Sequence, residues 1–172
     1  DSQAQTIVAL DTLYPIVESV WQKTTLRNVI VTSLEEYASK TAPATVKAEQ
    51  KPSVYFFQEL LKKNAAAKPP KIKITPTEDL AALQYTGGTT GTAKAAMLTH
   101  TNLVANAVAF AAWIEGVVAK EIFLTALPLF HIYGMTTSLN VPIALASKMV
   151  LLPKFDPAKV LETIQRHRVT VY

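Results

Sequence analysis

An α/β fold, in which a mostly parallel sheet is flanked by helices, is the class this 172-residue sequence predicts. Three observations carry it. β-branched runs alternate with helix-spaced apolar stretches along the chain, which is the pattern of strands joined by crossover helices. Apolar residues make up 49% of the sequence and charged residues 17%, so there is enough to build a core without the charge excess of a disordered segment. No internal repeat of fixed period is visible, which argues against a solenoid.

The elements follow in order. TIVAL, residues 6–10, is a short β-rich run, and DTLYPIVESVWQK has helical spacing despite Pro15. RNVIVTS, residues 27–33, is again β-branched and completes one βαβ unit. Ser33 and Glu36 have capping-box spacing for a short helix through Tyr37. Residues 39–52, with two prolines and no period, read as a linker or surface loop. In SVYFFQELLKKN, Phe56, Phe57, Leu60 and Leu61 predict a helix behind a Ser53 cap. AAAKPPKIKITPTED is a second connector, because Pro69, Pro70 and Pro76 forbid a continuous helix.

From Leu80 the pattern sharpens. LAALQYT predicts a strand, KAAMLTH a return strand, and Thr99 or Thr101 a cap for a helix with Leu103, Val104, Ala107, Val108 and Ala111 on one face. EIFLTALPLFH and SKMVLLP read as further strands. In FDPAKVLETIQRH, Asp156 caps, Pro157 takes the first helical position, and Val160, Leu161 and Ile164 face the core. Trp21 and Trp113, amid apolar neighbours, are expected in the core. The organisation is therefore 1–38, the end of a βαβ subdomain; 39–79, linker and short helix; and 80–172, the remaining α/β portion.

Composition excludes several classes. The net charge of +4 modestly favours anionic ligands, but the basic residues look scattered, with no interleaved aromatics, so nucleic acid is not an expected partner. With no cysteine there is no disulfide framework, thiol nucleophile or zinc-thiolate site, which suits a reducing, cytoplasmic compartment. The longest apolar stretch, residues 103–118, contains Asn106 and Glu115 and falls short of the ~20 residues that span a bilayer, so it reads as a buried helix. No transmembrane segment or signal peptide is expected. The chain starts at Asp1 and stops in the strand-like VTVY, which reads as a piece of a longer protein.

The chemistry concentrates in QYTGGTTGTAKAAM, residues 84–97, which holds three of the five glycines. Glycine weakens regular structure, so Gly87, Gly88 and Gly91 together imply exposed backbone N–H groups. With Thr hydroxyls as donors and Lys94 as a point charge, the segment has the composition of a phosphate cradle. It is not a Walker A loop, because Thr92 and Ala93 separate Gly91 from Lys94, and the dinucleotide fingerprint cannot be placed on its glycines. A glycine hairpin turn with a solvated lysine remains the alternative reading of these residues.

YTGGTTGTAKAAMLTH resembles the signature loop of the adenylate-forming (AMP-binding) synthetases, Y-[TS]-[SG]-G-T-T-G-x-P-K-G, and LPLFHIYGM resembles their next motif. With LDTLYP upstream and DLA before the loop, the chain is most similar to long-chain fatty acyl-CoA ligases, over nearly its whole length. The resemblance implies part of the family's N-terminal domain and a two-step reaction. ATP and a fatty acid give acyl-adenylate and pyrophosphate, then coenzyme A takes the acyl group; the substrates are ATP, fatty acid and coenzyme A, with Mg²⁺ as cofactor. It implies that Thr86, Gly87, Gly88, Thr89, Thr90, Gly91 and Lys94 bind the nucleotide phosphates. His131, Tyr133 and Gly134 would border the acyl site. Ala93 and Ala95 depart from the motif's proline and glycine. His100 and His167, near helix ends, are expected to be structural.

The family's Y-G-x-T-E segment, its T-G-D aspartate and the lysine of its mobile domain do not occur in these 172 residues. No metal ligand and no complete catalytic set is therefore expected here, and the chain alone is expected to be inactive. Peripheral membrane association and self-association of the truncated piece are further expectations. Two alternatives stay open: a non-catalytic nucleotide- or phosphate-binding module, and an adenylate-forming ligase for aryl or amino acid substrates.

Overall fold

Val29 and Val31, both 0% exposed, stand at the centre of a three-stranded parallel sheet and explain its order. The computed structural model describes residues 2–38, 48, 49, 51–86 and 94–172. It divides into two compact units, Asp1–Lys71 and Ile72–Tyr172.

In the first unit, β1 (Thr6–Leu10), β2 (Asn28–Thr32) and β3 (Val54–Phe56) are all parallel. β2 lies between the others, with Thr6 opposite Asn28 and Val29 opposite Val54. A 3₁₀ turn, Asp11–Leu13, leads into α1 (Tyr14–Trp21), which takes Pro15 in its first turn, where a missing N–H costs nothing. Tyr14 and Val17 bring α1 onto Ala9, Val29, Val31 and Val54. Burying each of these valines contributes about 2 kcal/mol. Trp21 is only half-buried at the edge of that cluster, its indole N–H donating to the Leu26 carbonyl at 2.9 Å. α2 (Glu35–Ala38) starts as expected: the Glu36 carboxylate accepts from the Ser33 N–H at 3.0 Å and from the Thr32 hydroxyl at 2.6 Å. The linker predicted over 39–52 lies largely outside the described residues.

Residues 53–56 differ from the expectation. Ser53 does not cap a helix; it sits at φ 68°, and Val54–Phe56 form β3, so α3 (Phe57–Lys63) begins one turn later. The open edge of β2 offers backbone partners that a lone helical turn lacks, and the aromatic and β-branched residues suit that edge. From Leu61 in the last turn of α3, residues 61–80 are all exposed.

In the second unit, β4 (Leu80–Thr86) and β5 (Lys94–Thr99) form an antiparallel hairpin. Thr99, rather than Thr101, caps α4 (His100–Trp113): its hydroxyl accepts from the Asn102 N–H at 3.3 Å, and the Asn102 side chain accepts from the Thr99 N–H at 3.0 Å. β6 (Ile122–Thr125) is central to a second parallel sheet, pairing with β7 (Lys148–Leu151) on one side and with Val171 on the other. The terminal VTVY thus does start a strand pairing, and it lies against β6.

Successive β6 residues point to opposite faces. Phe123 packs with Ala107 and Ala111 of α4, with Val141 of α6 (Val141–Ala144), and with Leu145. Leu124 packs with Ala126 and with Val160 of α7 (Pro157–His167), and Asp156 caps α7 by accepting from the Lys159 N–H at 3.0 Å. The parallel sheet is thus flanked by helices on both faces, in an α/β architecture.

Three apolar expectations are corrected here. α4 buries its alanine stripe, so Val104, Val108 and Trp113 are exposed, Trp113 at 76%. A helix apolar nearly all round gives periodicity no face to select. Leu161 of α7 is also exposed, while Val160 and Ile164 do face the core. The strand read through EIFLTALPLFH stops at Thr125, because the chain turns at Pro128, whose carbonyl accepts the His131 N–H at 3.1 Å.

Candidate functional site

The site is built from a hairpin stem and a histidine turn, both in the second unit. Strand register sets Thr86 opposite Lys94, and the Thr86 hydroxyl donates to the Lys94 carbonyl at 3.3 Å. The last rung of the ladder therefore closes a seven-residue connection. Gly87, Gly88, Thr89, Thr90 and Gly91 belong to that connection and lie outside the described residues. Thr86 and Lys94 are both exposed at its base. A strand, not a helix, follows the loop, so a helix dipole is not the source of any anion affinity there.

His131 sits at the start of α5 (Ile132–Met135) and caps it, its Nδ1 accepting from the Tyr133 N–H at 3.2 Å. With Nδ1 accepting, the neutral ring of this exposed residue carries its proton on Nε2. Its backbone is fixed at both ends, by the Pro128 carbonyl behind it and by the Met135 N–H, which donates to the His131 carbonyl at 2.8 Å. Gly134 is buried against the same turn. A Cβ there would drive into the Pro128 carbonyl oxygen and come within 3.4 Å of the Leu127 Cβ. Glycine at 134 is what lets α5 lie on the Pro128 turn and aim His131 outward.

Gln84 joins the two parts. From β4 its amide nitrogen reaches the Phe130 carbonyl at 3.4 Å and the Tyr85 carbonyl at 3.3 Å. The stem of the glycine loop and the residue preceding His131 are thereby tied across 46 positions of sequence. Sequence reasoning did not single out Gln84; its one signal was a polar residue inside an otherwise apolar strand. Tyr133 lines a pocket of about 160 Å³ together with Phe110, Phe123, Leu124, Leu127 and Thr137. Beside α5 the chain runs through a π-helical turn, Thr136–Asn140, that turns Thr137 and Ser138 towards this pocket. The arrangement offers donors and a cation at the loop stem, a fixed imidazole N–H, and an apolar cavity next to it. Among the described residues no three His, Asp or Glu side chains converge as metal ligands, and no helix is long and apolar enough to cross a membrane.

Comparison with known proteins gives this geometry a context. The family model described as AMP-binding enzyme matches residues 1–172. A long-chain-fatty-acid–CoA ligase of Bacillus subtilis is 35% identical over all of this chain and 33% of its own length. 4-Coumarate–CoA ligase 2 of Nicotiana tabacum is 36% identical over 59% of this chain and 19% of its own. A crystal structure of a long-chain-fatty-acid-CoA ligase from Archaeoglobus fulgidus superposes with a TM-score of 0.74 and 25% identity, over 98% of this chain and 29% of that one. The chain thus spans about a third of the length of the fatty-acid ligase relatives it matches.

Proposed function

The chain belongs to the AMP-binding enzyme family, and from that premise we propose that it is part of the N-terminal domain of an AMP-forming long-chain fatty acid:CoA ligase. The observation that carries this reading is the tie between loop stem and histidine turn: Gln84 of the hairpin stem donates to the Phe130 carbonyl, one residue before His131, and Tyr133 of the same turn lines an apolar pocket. In the first step a carboxylate oxygen attacks the α-phosphorus of ATP, an acyl–phosphate bond forms, and the P–O bond to pyrophosphate breaks. In the second the thiol sulfur of coenzyme A attacks the acyl carbon, AMP leaves and the thiol proton goes to solvent.

The chain's own residues serve the first step. Thr86, Gly87, Gly88, Thr89, Thr90 and Gly91 give backbone and hydroxyl donors to the β- and γ-phosphates. Lys94 adds positive charge where the leaving group gathers negative charge. The His131 Nε2–H, Tyr133 and Gly134 border the acid. Mg²⁺ binds chiefly through substrate phosphates and one or two carboxylates, and would neutralise phosphate charge when bound. Its share of the first step is assigned here to the nucleotide phosphates rather than to any side chain of this sequence. Residues 80–172 are the portion bearing the phosphate loop, and the 172-residue chain alone is proposed to be inactive. The cysteine-free sequence supports a cytoplasmic setting, and we further propose peripheral contact with membranes and self-association of the truncated chain.

A second reading, a ligase for aryl acids, is favoured by the 4-coumarate–CoA ligase match. The test is acid-dependent exchange of labelled pyrophosphate into ATP by the complete polypeptide. A long-chain fatty acid should support exchange better than 4-coumarate. Lys94→Ala should lower it on the order of a hundredfold with an unchanged unfolding midpoint. Full exchange by that variant would overturn the phosphate role, and preference for 4-coumarate would overturn the acid.

A further inference from the structure

Five of the chain's lysines and arginines fall between residues 62 and 73, at Lys62, Lys63, Lys68, Lys71 and Lys73, with no Asp or Glu between Glu59 and Glu78. The basic residues are therefore less scattered than a first pass along the sequence suggests. All five are exposed, and among the described residues none is in an ion pair. Residues 68–74 make no hydrogen bond among the described residues. Ile72 and Ile74 alternate with Lys71 and Lys73, and both isoleucines are exposed, Ile72 at 73%. Pro69 and Pro70 keep the peptide extended. These residues form one continuous peptide, so their proximity follows from connectivity alone.

We propose that residues 61–74 are a docking strap for an anionic phospholipid surface. In an extended chain, alternate side chains share a side, which puts Ile72 and Ile74 together to enter the headgroup boundary. The lysine stems are long enough to lie along that boundary and leave their ammonium groups among lipid phosphates. Each lysine near an anionic leaflet strengthens binding, and an acid-free run loses none of that to internal pairing. Nucleic acid fits less well, because residues 58–84 contain no aromatic side chain on which a base could stack. The inference deepens the proposed contact with membranes and rests on it. A long-chain fatty acid partitions into bilayers, so a ligase strapped to one would meet its substrate at the surface.

The experiment is cosedimentation of the 172-residue chain with phosphatidylcholine vesicles, with and without phosphatidylglycerol. The wild-type chain should bind the phosphatidylglycerol vesicles in a salt-dependent manner and the neutral ones weakly. The triple variant Lys68→Gln, Lys71→Gln, Lys73→Gln should lower the partition coefficient on the order of a hundredfold. Ile72→Ser with Ile74→Ser should also lower it, with less change in salt dependence. Equal binding by wild type and both variants would overturn the strap, as would displacement of the chain from vesicles by a single-stranded oligonucleotide. Absence of wild-type binding would remove the membrane proposal altogether. None of these results bears on acid-dependent pyrophosphate exchange by the complete polypeptide, which should be unchanged in the strap variants, so loss of exchange would count against the ligase and not against the strap.

Discussion

β2 and the β4–β5 hairpin are both rich in apolar residues and put to opposite uses. In NVIVT, Val29 and Val31 are fully buried, between two parallel partners and under α1. In LAALQYT and KAAMLT, Leu80, Leu83, Tyr85 and Met97 are exposed, Met97 at 66%, and each strand has one partner. Apolar content alone does not say which strand is core. What separates them is the number of neighbours the topology supplies. A strand paired on both edges stabilises its unit, whereas a two-stranded hairpin is marginal by itself and is available to carry a loop.

The strongest way to break that comparison is Gly134→Ala, because it strikes where the exposed part of the molecule depends on close packing. The added methyl cannot coexist with the Pro128 carbonyl, so α5 must shift and carry His131 with it. Overpacking at backbone costs about 3 kcal/mol or somewhat more. Pyrophosphate exchange by the complete polypeptide should fall on the order of a hundredfold through lost positioning. A variant with wild-type activity and wild-type melting would show that the turn is not rigid.

A matched pair of truncations sharpens it. Val31→Ala removes methyls from the buried centre of the first unit and should cost about 2 kcal/mol in a denaturant titration. Met97→Ala removes more atoms from an exposed strand and should change stability by less than about 0.5 kcal/mol. If the two cost the same, the hairpin would be covered in solution, and the contrast between buried and exposed strands would fail.

The same contrast explains how much was legible in the sequence. β1 and β2 were readable because short β-branched runs act locally, β4 and β5 because short apolar runs flank a glycine segment, and α7 because an Asp-Pro helix start is a local signal. Residues 54–56 were not, because a strand of three residues exists only through the β2 edge it pairs with. The buried face of α4 was not, because an apolar helix leaves the choice of face to its neighbours. At the site, Lys94 stood out by residue type beside the glycines, whereas Thr86 and His131 were named only through the family resemblance. The requirement for glycine at 134 and the Gln84 tie to Phe130 are contacts across the fold, visible only once the turn at Pro128 is built.

The smallest expected effect tests whether exposed polar groups also shape the buried sheet. Glu121, just before β6, accepts from the Thr170 hydroxyl at 2.5 Å and from the Val117 N–H at 3.1 Å. Thr170 in turn accepts from the Ile122 N–H at 2.9 Å, next to the bridge that sets Val171 against Phe123. The Thr170 hydroxyl first, and the Val117 N–H second, hold the Glu121 carboxyl below its ordinary value. A carboxylate whose folded pKa is depressed stabilises the fold above the unfolded value, and that contribution is lost as pH falls through the folded one. Wild type should therefore be more stable than Glu121→Gln at neutral pH, with the gap beginning to close as pH enters the ordinary glutamate range and gone below the depressed value. The carboxylate lies at the surface, so the gap should be small and should shrink further in salt. Thermal melts of both proteins across that acid range measure it. Parallel curves at every pH would mean that the carboxylate charge does nothing to hold Val171 against β6.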